Sequence, residues 1–231
     1  MEQIQAIDFS IQNSHDVFLQ ALNNDGIVII KNLFTSEVVD DIASEFDRIF
    51  IEHKNLIDVL DKEDCSKDER IFHAQKLSPF IKDNYADHAL LNKLSNSYTS
   101  RAGNLKKTLI NQLKFKKGVT NSSGGGWHRD NHDCQFKSIM YLTDVDESQG
   151  NFQWITNSSK RHIGYPTPRT ASYNTRYADD VVDSIVETNK SCELVNITGP
   201  KGTVILADTT YIHRGKVIEA DERKAITQYY F

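Results

Sequence analysis

The sequence predicts a mainly β protein with helices in its N-terminal part, built on an antiparallel barrel or a double-sheet jelly roll. Three observations carry this. From residue 107 onward, short β-branched and aromatic segments recur, separated by turn signals. The long amphipathic patterns sit before residue 105. No repeat or low-complexity linker divides the chain. Residues 1–231 therefore read as a single domain, helical over about 1–105 with a β core over about 106–231.

The elements follow in order. "GIVIIKNLF" is a β-branched run after a glycine and predicts a strand. In "TSEVVDDIASEFDRIFIEHKN", Val38, Ile42, Phe46 and Phe50 recur every four residues, and Thr35 or Ser36 can cap the start, which predicts a helix. "HALLNKLSNSY" predicts another. "KTLINQLKF", "FKSIMYLTDV", "NFQWIT", "CELVNIT", "GTVILAD" and "KAITQYYF" predict strands, with SSGGG, ESQGN and GPKG as turns between them. "YADDVVDSIVETN" predicts one helical interruption, an inserted surface element.

Composition narrows the function. The 231 residues are 39% hydrophobic and 26% charged, ordinary for a globular protein, with a net charge of -5. No basic block marks a nucleic-acid surface. No apolar run approaches the roughly 20 residues that cross a bilayer, and the first residues lack an apolar signal core. Cys65, Cys134 and Cys192 form neither a CxxC pair nor a disulfide framework, as expected for a reducing cytoplasm. In that setting the sequons at Asn121, Asn157 and Asn196 carry no meaning.

The densest cluster of metal-binding residue types is "GGGWHRDNHD", residues 124–133. On an extended chain, side chains two apart share a face. His128 and Asp130 have that spacing, with Arg129 facing away; His132 is in phase and Asp133 is not. The local sequence leaves His128/Asp130 and Asp130/His132 both open. A third ligand must come from elsewhere, and "GTVILADTTYIHRG" offers His213 just past an apolar strand. Two histidines and a carboxylate make the facial triad of non-haem Fe(II) oxygenases, which leaves coordination positions open. Ten residues after His213, Arg223 stands in an apolar final segment, where its charge needs a partner such as a carboxylate. Trp127 reads as a core or pocket-wall aromatic. Gly124–Gly126 read as a flexible loop, not a phosphate loop, because no Lys-Ser/Thr pair follows.

Four segments in this order resemble the phytanoyl-CoA dioxygenase family of Fe(II)/2-oxoglutarate-dependent oxygenases: "LNNDGIVIIKNLFTSEVVDDIASEF", "GGGWHRD", "YLTDVDESQGNFQWITNSSKRH" and "GTVILADTTYIHRGKVIEADERKAITQYYF". The resemblance implies a double-stranded β-helix (a jelly-roll, cupin-like core) wrapped by N-terminal helices. It implies that His128, Asp130 and His213 bind iron, leaving His132 and Asp133 nearby, and that Arg223 anchors 2-oxoglutarate. Two departures stand out. Thr156-Asn157-Ser158-Ser159 replaces a Pro-Gly-Ser-His-like segment, displacing His162. Ala225 stands where some relatives have a second anchor, so Gln112 or Lys114 is expected to assist.

The implied activity is a dioxygenase that uses Fe(II), 2-oxoglutarate and O2 to hydroxylate an unactivated C–H bond of a small-molecule, sugar-bearing or acyl substrate, releasing succinate and CO2. Asp130 favours hydroxylation over halogenation, whose enzymes give that ligand position to a halide. A cupin-like isomerase or epimerase, which would need no Arg223, and a non-catalytic binding module are the competing readings. Lys160, Arg161, Arg169 and Arg176, set among tyrosines in one loop, suit either an anionic substrate or solvent.

Overall fold

The computed structural model describes residues 4–12, 14–60, 66–100, 106–119, 126–130, 135–159 and 176–230. The expectations for His132, Asp133, His162, Lys160, Arg161, Arg169, Asn121, Cys65, Cys134, Gly124 and Gly125 lie outside these residues.

The chain folds mainly as β structure with helices on one side. In chain order the strands are β1 (Ala6–Asp8), β2 (Ile27–Lys31), β3 (Asp58–Leu60), β4 (Lys67–Phe72), β5 (Lys106–Lys114), β6 (Phe136–Tyr141), β7 (Phe152–Ile155), β8 (Leu194–Ile197), β9 (Val204–Asp208), β10 (His213–Gly215) and β11 (Glu222–Tyr230). The helices are α1 (His15–Asp25), α2 (Ser36–Glu52), the single turn α3 (Pro79–Ile81), α4 (Ala89–Thr99) and α5 (Asp179–Thr188). One sheet has eight strands in the order β1-β2-β9-β6-β11-β5-β4-β3; the other has three, β10-β7-β8. Within the large sheet β1 and β2 run parallel and the other pairs are antiparallel.

Alternation along the strands gives each face its role. Val28, Ile30, Phe136, Met140, Val204, Leu206 and Ile226 face the helices and pack on Phe18 and Leu22 of α1, Ile42, Phe46 and Ile49 of α2, and Leu91 and Leu94 of α4. Their neighbours Ile27, Ile29, Tyr141, Ile205 and Ala207 face the opposite way and pack on Phe152, Trp154, Val195 and Ile197 of the small sheet. The large sheet is thus sandwiched between a helical layer and a second sheet.

The six segments read as strands after residue 106 each form a strand, β5 to β9 and β11, and β10 is an added short strand. In the N-terminal part β2 forms as expected from "GIVIIKNLF", whereas β1, β3 and β4 were not expected; together the four extend both ends of the large sheet. "KDERIF" of β4 is too charged to read as a strand, yet it pairs residue for residue with β5. The buried face of α2 is Val39, Ile42, Phe46 and Ile49, not the strict four-residue series. A helix of 3.6 residues per turn drifts off a period of four, so Val38 and Phe50 fall to the edge of the core. Thr35, not Ser36, caps the helix, its Oγ1 accepting from Val38 N at 3.4 Å. The predicted surface helix α5 buries Val182 and Ile185 against Trp127, Ile155 and Ile212, covering the back of the segment that carries His128. Among the described residues no helix is long and apolar enough to cross a membrane.

Candidate metal centre

Three chain segments meet at one end of the space between the sheets. His128 and His213 exchange both backbone hydrogen bonds at 2.9 Å, the closed pairing of an antiparallel ladder. Asp130 N donates to Thr209 O at 2.9 Å, fixing the HxD segment along the turn between β9 and β10. On its other side Tyr177 N donates to Trp127 O. Period-two alternation then puts His128 and Asp130 on one face, as expected, and turns Arg129 away. Arg129 is 1% exposed; its guanidinium donates to Ser158 O at 2.6 Å and lies 5.6 Å from the centre of the Tyr177 ring.

The functional atoms converge. His128, Asp130 and His213 each offer a ligand atom, and these atoms all lie within 4.8 Å of one another. His128 Nε2 is 3.6 Å from Asp130 Oδ1, and His213 Nε2 is 3.7 Å from Asp130 Oδ2. Neighbouring ligands on one small cation sit about 3 Å apart, so a modest inward movement suffices. Both imidazoles are set the same way. His128 Nδ1 is 2.9 Å from Gly126 O, and His213 Nδ1 is 2.9 Å from Tyr211 O. Each Nδ1–H donates to the carbonyl two residues earlier, which leaves the Nε2 lone pair aimed at the cluster. Burial, reinforced by His128, pushes His213 down to about 3; burial also lowers His128, against the pull of Asp130. Both rings are therefore neutral near pH 7 and able to coordinate.

Asp130 is held as the anion. Burial alone would raise it, but Lys137 and the two histidines more than reverse this and hold it well below the usual carboxylate range. Lys137 Nζ is 2.5 Å from Asp130 Oδ2 and 4.6 Å from the centre of the Tyr229 ring. Lys137 itself is 8% exposed; burial would lower its ammonium, and Asp130 raises it above its ordinary value.

The surrounding frame is stiff. Tyr211 stacks on Trp154, with ring centres 4.8 Å apart, and Trp154 lies beside His213 in the β10–β7 pairing. Gly26 makes room for that stack. It ends α1 at φ 71, and a Cβ there would lie 2.4 Å from the Tyr211 ring. The sequence departure at Thr156–Ser159 has a role of its own. Buried Ser158 donates through Oγ to Ile155 O and accepts from Ile212 N, tying β7 to the His213 segment, while its carbonyl holds Arg129.

Arg223 reaches the same space. Gly215 lies two residues past His213, and a Cβ on it would sit 3.6 Å from Arg223 Nη1 and 3.9 Å from Nη2. The guanidinium donates to Gly150 O, and its buried Nε has no hydrogen-bond partner among the described residues. Burial lowers its pKa, opposed by Tyr141 and Asp68, and it remains a cation. Among the described residues no carboxylate forms an ion pair with it.

The expected assistance from Gln112 and Lys114 does not fit this geometry. Arg223 is opposite Leu113, whereas Gln112 is opposite Lys224 and Lys114 opposite Glu222. Both therefore point to the other face of the sheet. Gln112 donates to Glu222, and Lys114 pairs with Glu69 at 2.9 Å. The face shared with Arg223 instead carries Asn111, Asp68 and Arg70. Asp68, 1% exposed, accepts from Arg70 Nε at 2.7 Å and from Asn111 at 3.3 Å. Sequence reasoning missed Lys137, Asp68 and Arg70. No local signal marked them: "KDERIF" does not read as a strand, and Lys137 in "FKSIMY" occupies the phase that a two-faced strand turns to solvent.

Several solved structures share the fold. The epimerase SnoN, in complex with Fe3+, alpha ketoglutarate and nogalamycin RO, is 14% identical with a TM-score of 0.73, covering 94% of this chain and 83% of that one. The non-heme alpha ketoglutarate dependent carbocyclase SnoK from nogalamycin biosynthesis is 15% identical with a TM-score of 0.71, covering 95% and 84%. EctD from S. alaskensis, with 2-oxoglutarate and 5-hydroxyectoine, is 16% identical with a TM-score of 0.68, covering 92% and 74%. Comparison with curated protein sequences gives no match. The phytanoyl-CoA dioxygenase (PhyH) family model matches residues 22–225, nearly the whole chain, and the chain belongs to that family.

Proposed function

We propose that this protein is an Fe(II)- and 2-oxoglutarate-dependent dioxygenase that hydroxylates an unactivated C–H bond of a small-molecule, sugar-bearing or acyl substrate. On this reading the two sheets form one double-stranded β-helix domain. His128, Asp130 and His213 hold the metal, and Arg223 anchors the cosubstrate. The observation that carries it is the convergence of two Nε2 atoms and one carboxylate within 4.8 Å, with both Nδ1 atoms tied to backbone carbonyls.

The residues present fit the metal. Two neutral imidazoles and one carboxylate are the donor set of a facial triad, which leaves three positions of an octahedral ion open. Bound there, iron with its keto acid and O2 supplies the oxidising power, yielding succinate, CO2 and a hydroxylated product. The protein's own contribution is placement. The planar fork of Arg223, whose buried Nε has no partner among the described residues, suits the distal carboxylate of a dicarboxylate. Gly215, two residues past His213, places no side chain against the Arg223 guanidinium, where a Cβ would stand 3.6 Å from Nη1. Phe152 and Trp154, with ring centres 5.3 and 6.2 Å from that of His213, close one wall against water.

Epimerisation or ring closure is the second reading, favoured by the fold shared with SnoN and SnoK. Succinate formation under Fe(II), ascorbate and O2, followed by the mass of the product, separates the outcomes. Hydroxylation adds one oxygen, epimerisation leaves the mass unchanged, and ring closure removes two hydrogens. Iron bound with no succinate formed across a broad panel of substrates contradicts the oxygenase reading.

A further inference from the structure

We propose that Lys137 is a positioning residue that holds one oxygen of Asp130 away from the metal, so that the carboxylate binds through a single atom and the third coordination position stays open. The inference rests on the function proposed above. It starts from a buried charge that the triad does not explain. Lys137 projects from β6 into the space between the sheets, opposite Ala207 of β9 and Tyr229 of β11. Its ammonium pairs with Asp130 Oδ2 at 2.5 Å, and the Tyr229 ring lies against it. Burying a lysine beside a metal-binding set places a cation where the metal's own charge must go, which opposes metal binding. Such a residue needs a compensating role.

The coordination arithmetic supplies one. A carboxylate can bind through one oxygen or two. Two histidines and a two-oxygen carboxylate fill four positions of an octahedral ion, leaving two, which a chelating keto acid fills completely. One-oxygen binding leaves the position that O2 requires. Either oxygen of Asp130 lies within reach, Oδ1 near His128 and Oδ2 near His213, so the triad alone does not choose between the modes. Lys137 breaks the symmetry by engaging Oδ2.

The test uses the whole protein loaded with Co(II), whose visible spectrum reports coordination number. Lys137→Met keeps the length and apolar stem, and thermal melting checks its fold. The expected result is Co(II) affinity equal to or several-fold tighter than wild type, 2-oxoglutarate affinity of the loaded protein within about threefold of wild type because two positions remain for the chelate, and an altered Co(II) spectrum that reports the extra carboxylate oxygen. Lys137→Arg, which keeps the charge and the donor, should stay near wild type in all three. Two results overturn the proposal: Lys137→Met matching wild type in spectrum and in both affinities, or Co(II) and 2-oxoglutarate affinities falling together. A wild-type protein that binds no Co(II) or Fe(II) overturns the proposed function instead.

Discussion

The two faces of the large sheet are made by the same strands and hold opposite chemistry. On β11, Ile226 and Tyr230 turn to the helices, while Arg223, Thr227 and Tyr229 turn to the small sheet. The helix face buries Phe46, Ile42, Leu94 and Met140, where each large apolar side chain contributes about 1.5–3 kcal/mol. The opposite face buries Asp68 and Lys137, and encloses much of Arg223 and Asp130. Buried charges seldom add stability. Their concentration on one face separates the part of the protein that holds the fold from the part that does chemistry.

That separation can be broken from either side. The largest effect is expected for Phe46→Ala on the helix face. It should cost about 3–5 kcal/mol in denaturant unfolding and leave the metal affinity of the folded fraction unchanged. If metal binding weakens in proportion, the faces are coupled. His128→Ala and His213→Ala should do the reverse. Metal affinity should fall by at least about 100-fold while thermal stability stays close to wild type. Asp130→Ala should match them in metal affinity but also lose stability, because it strands the buried Lys137 ammonium, and His132→Ala should change neither. Calorimetric titration of the four variants decides whether His128 or His132 partners Asp130.

Arg223→Met should leave iron binding nearly unchanged and weaken 2-oxoglutarate roughly 30-fold, the worth of a charge-assisted bidentate pair. Lysine at 223 should restore only part, because it has no planar fork. A folded Arg223→Met protein with unaltered 2-oxoglutarate affinity removes the anchor and revives the cupin-like alternative. The smallest effect is expected for Gln112→Ala and Lys114→Ala. Pointing to the helix face, they should change 2-oxoglutarate affinity by less than about twofold, as exposed or remote pairs do. A larger loss in either variant means that the β5 register differs from the one seen here.

These strands also show what the sequence can and cannot reveal. Strand positions after residue 106 were legible because β-branched runs and glycine turns mark them locally. His213 and Arg223 were legible because an imidazole and a guanidinium in apolar segments demand a reason. The face on which Gln112 lies was not, because a shift of one residue in register exchanges the faces and nothing local to "KTLINQLKF" fixes the pairing with β11. Lys137 was hidden for a related reason. A lysine next to Phe136 looks like the solvent side of a two-faced strand, and only the second sheet makes that side an interior. β4 was hidden by its charges, of which Asp68 and Arg70 compensate each other across one turn of the pleat.

The central claim is that one cluster holds both Fe(II) and a keto acid. It is tested most directly by adding 2-oxoglutarate to the Fe(II)-loaded protein without oxygen and recording the visible spectrum. The account predicts a weak charge-transfer band that appears with wild type, fades in Arg223→Met at limiting 2-oxoglutarate and is absent in His213→Ala. Iron demonstrably bound to wild type with no band at saturating 2-oxoglutarate contradicts it.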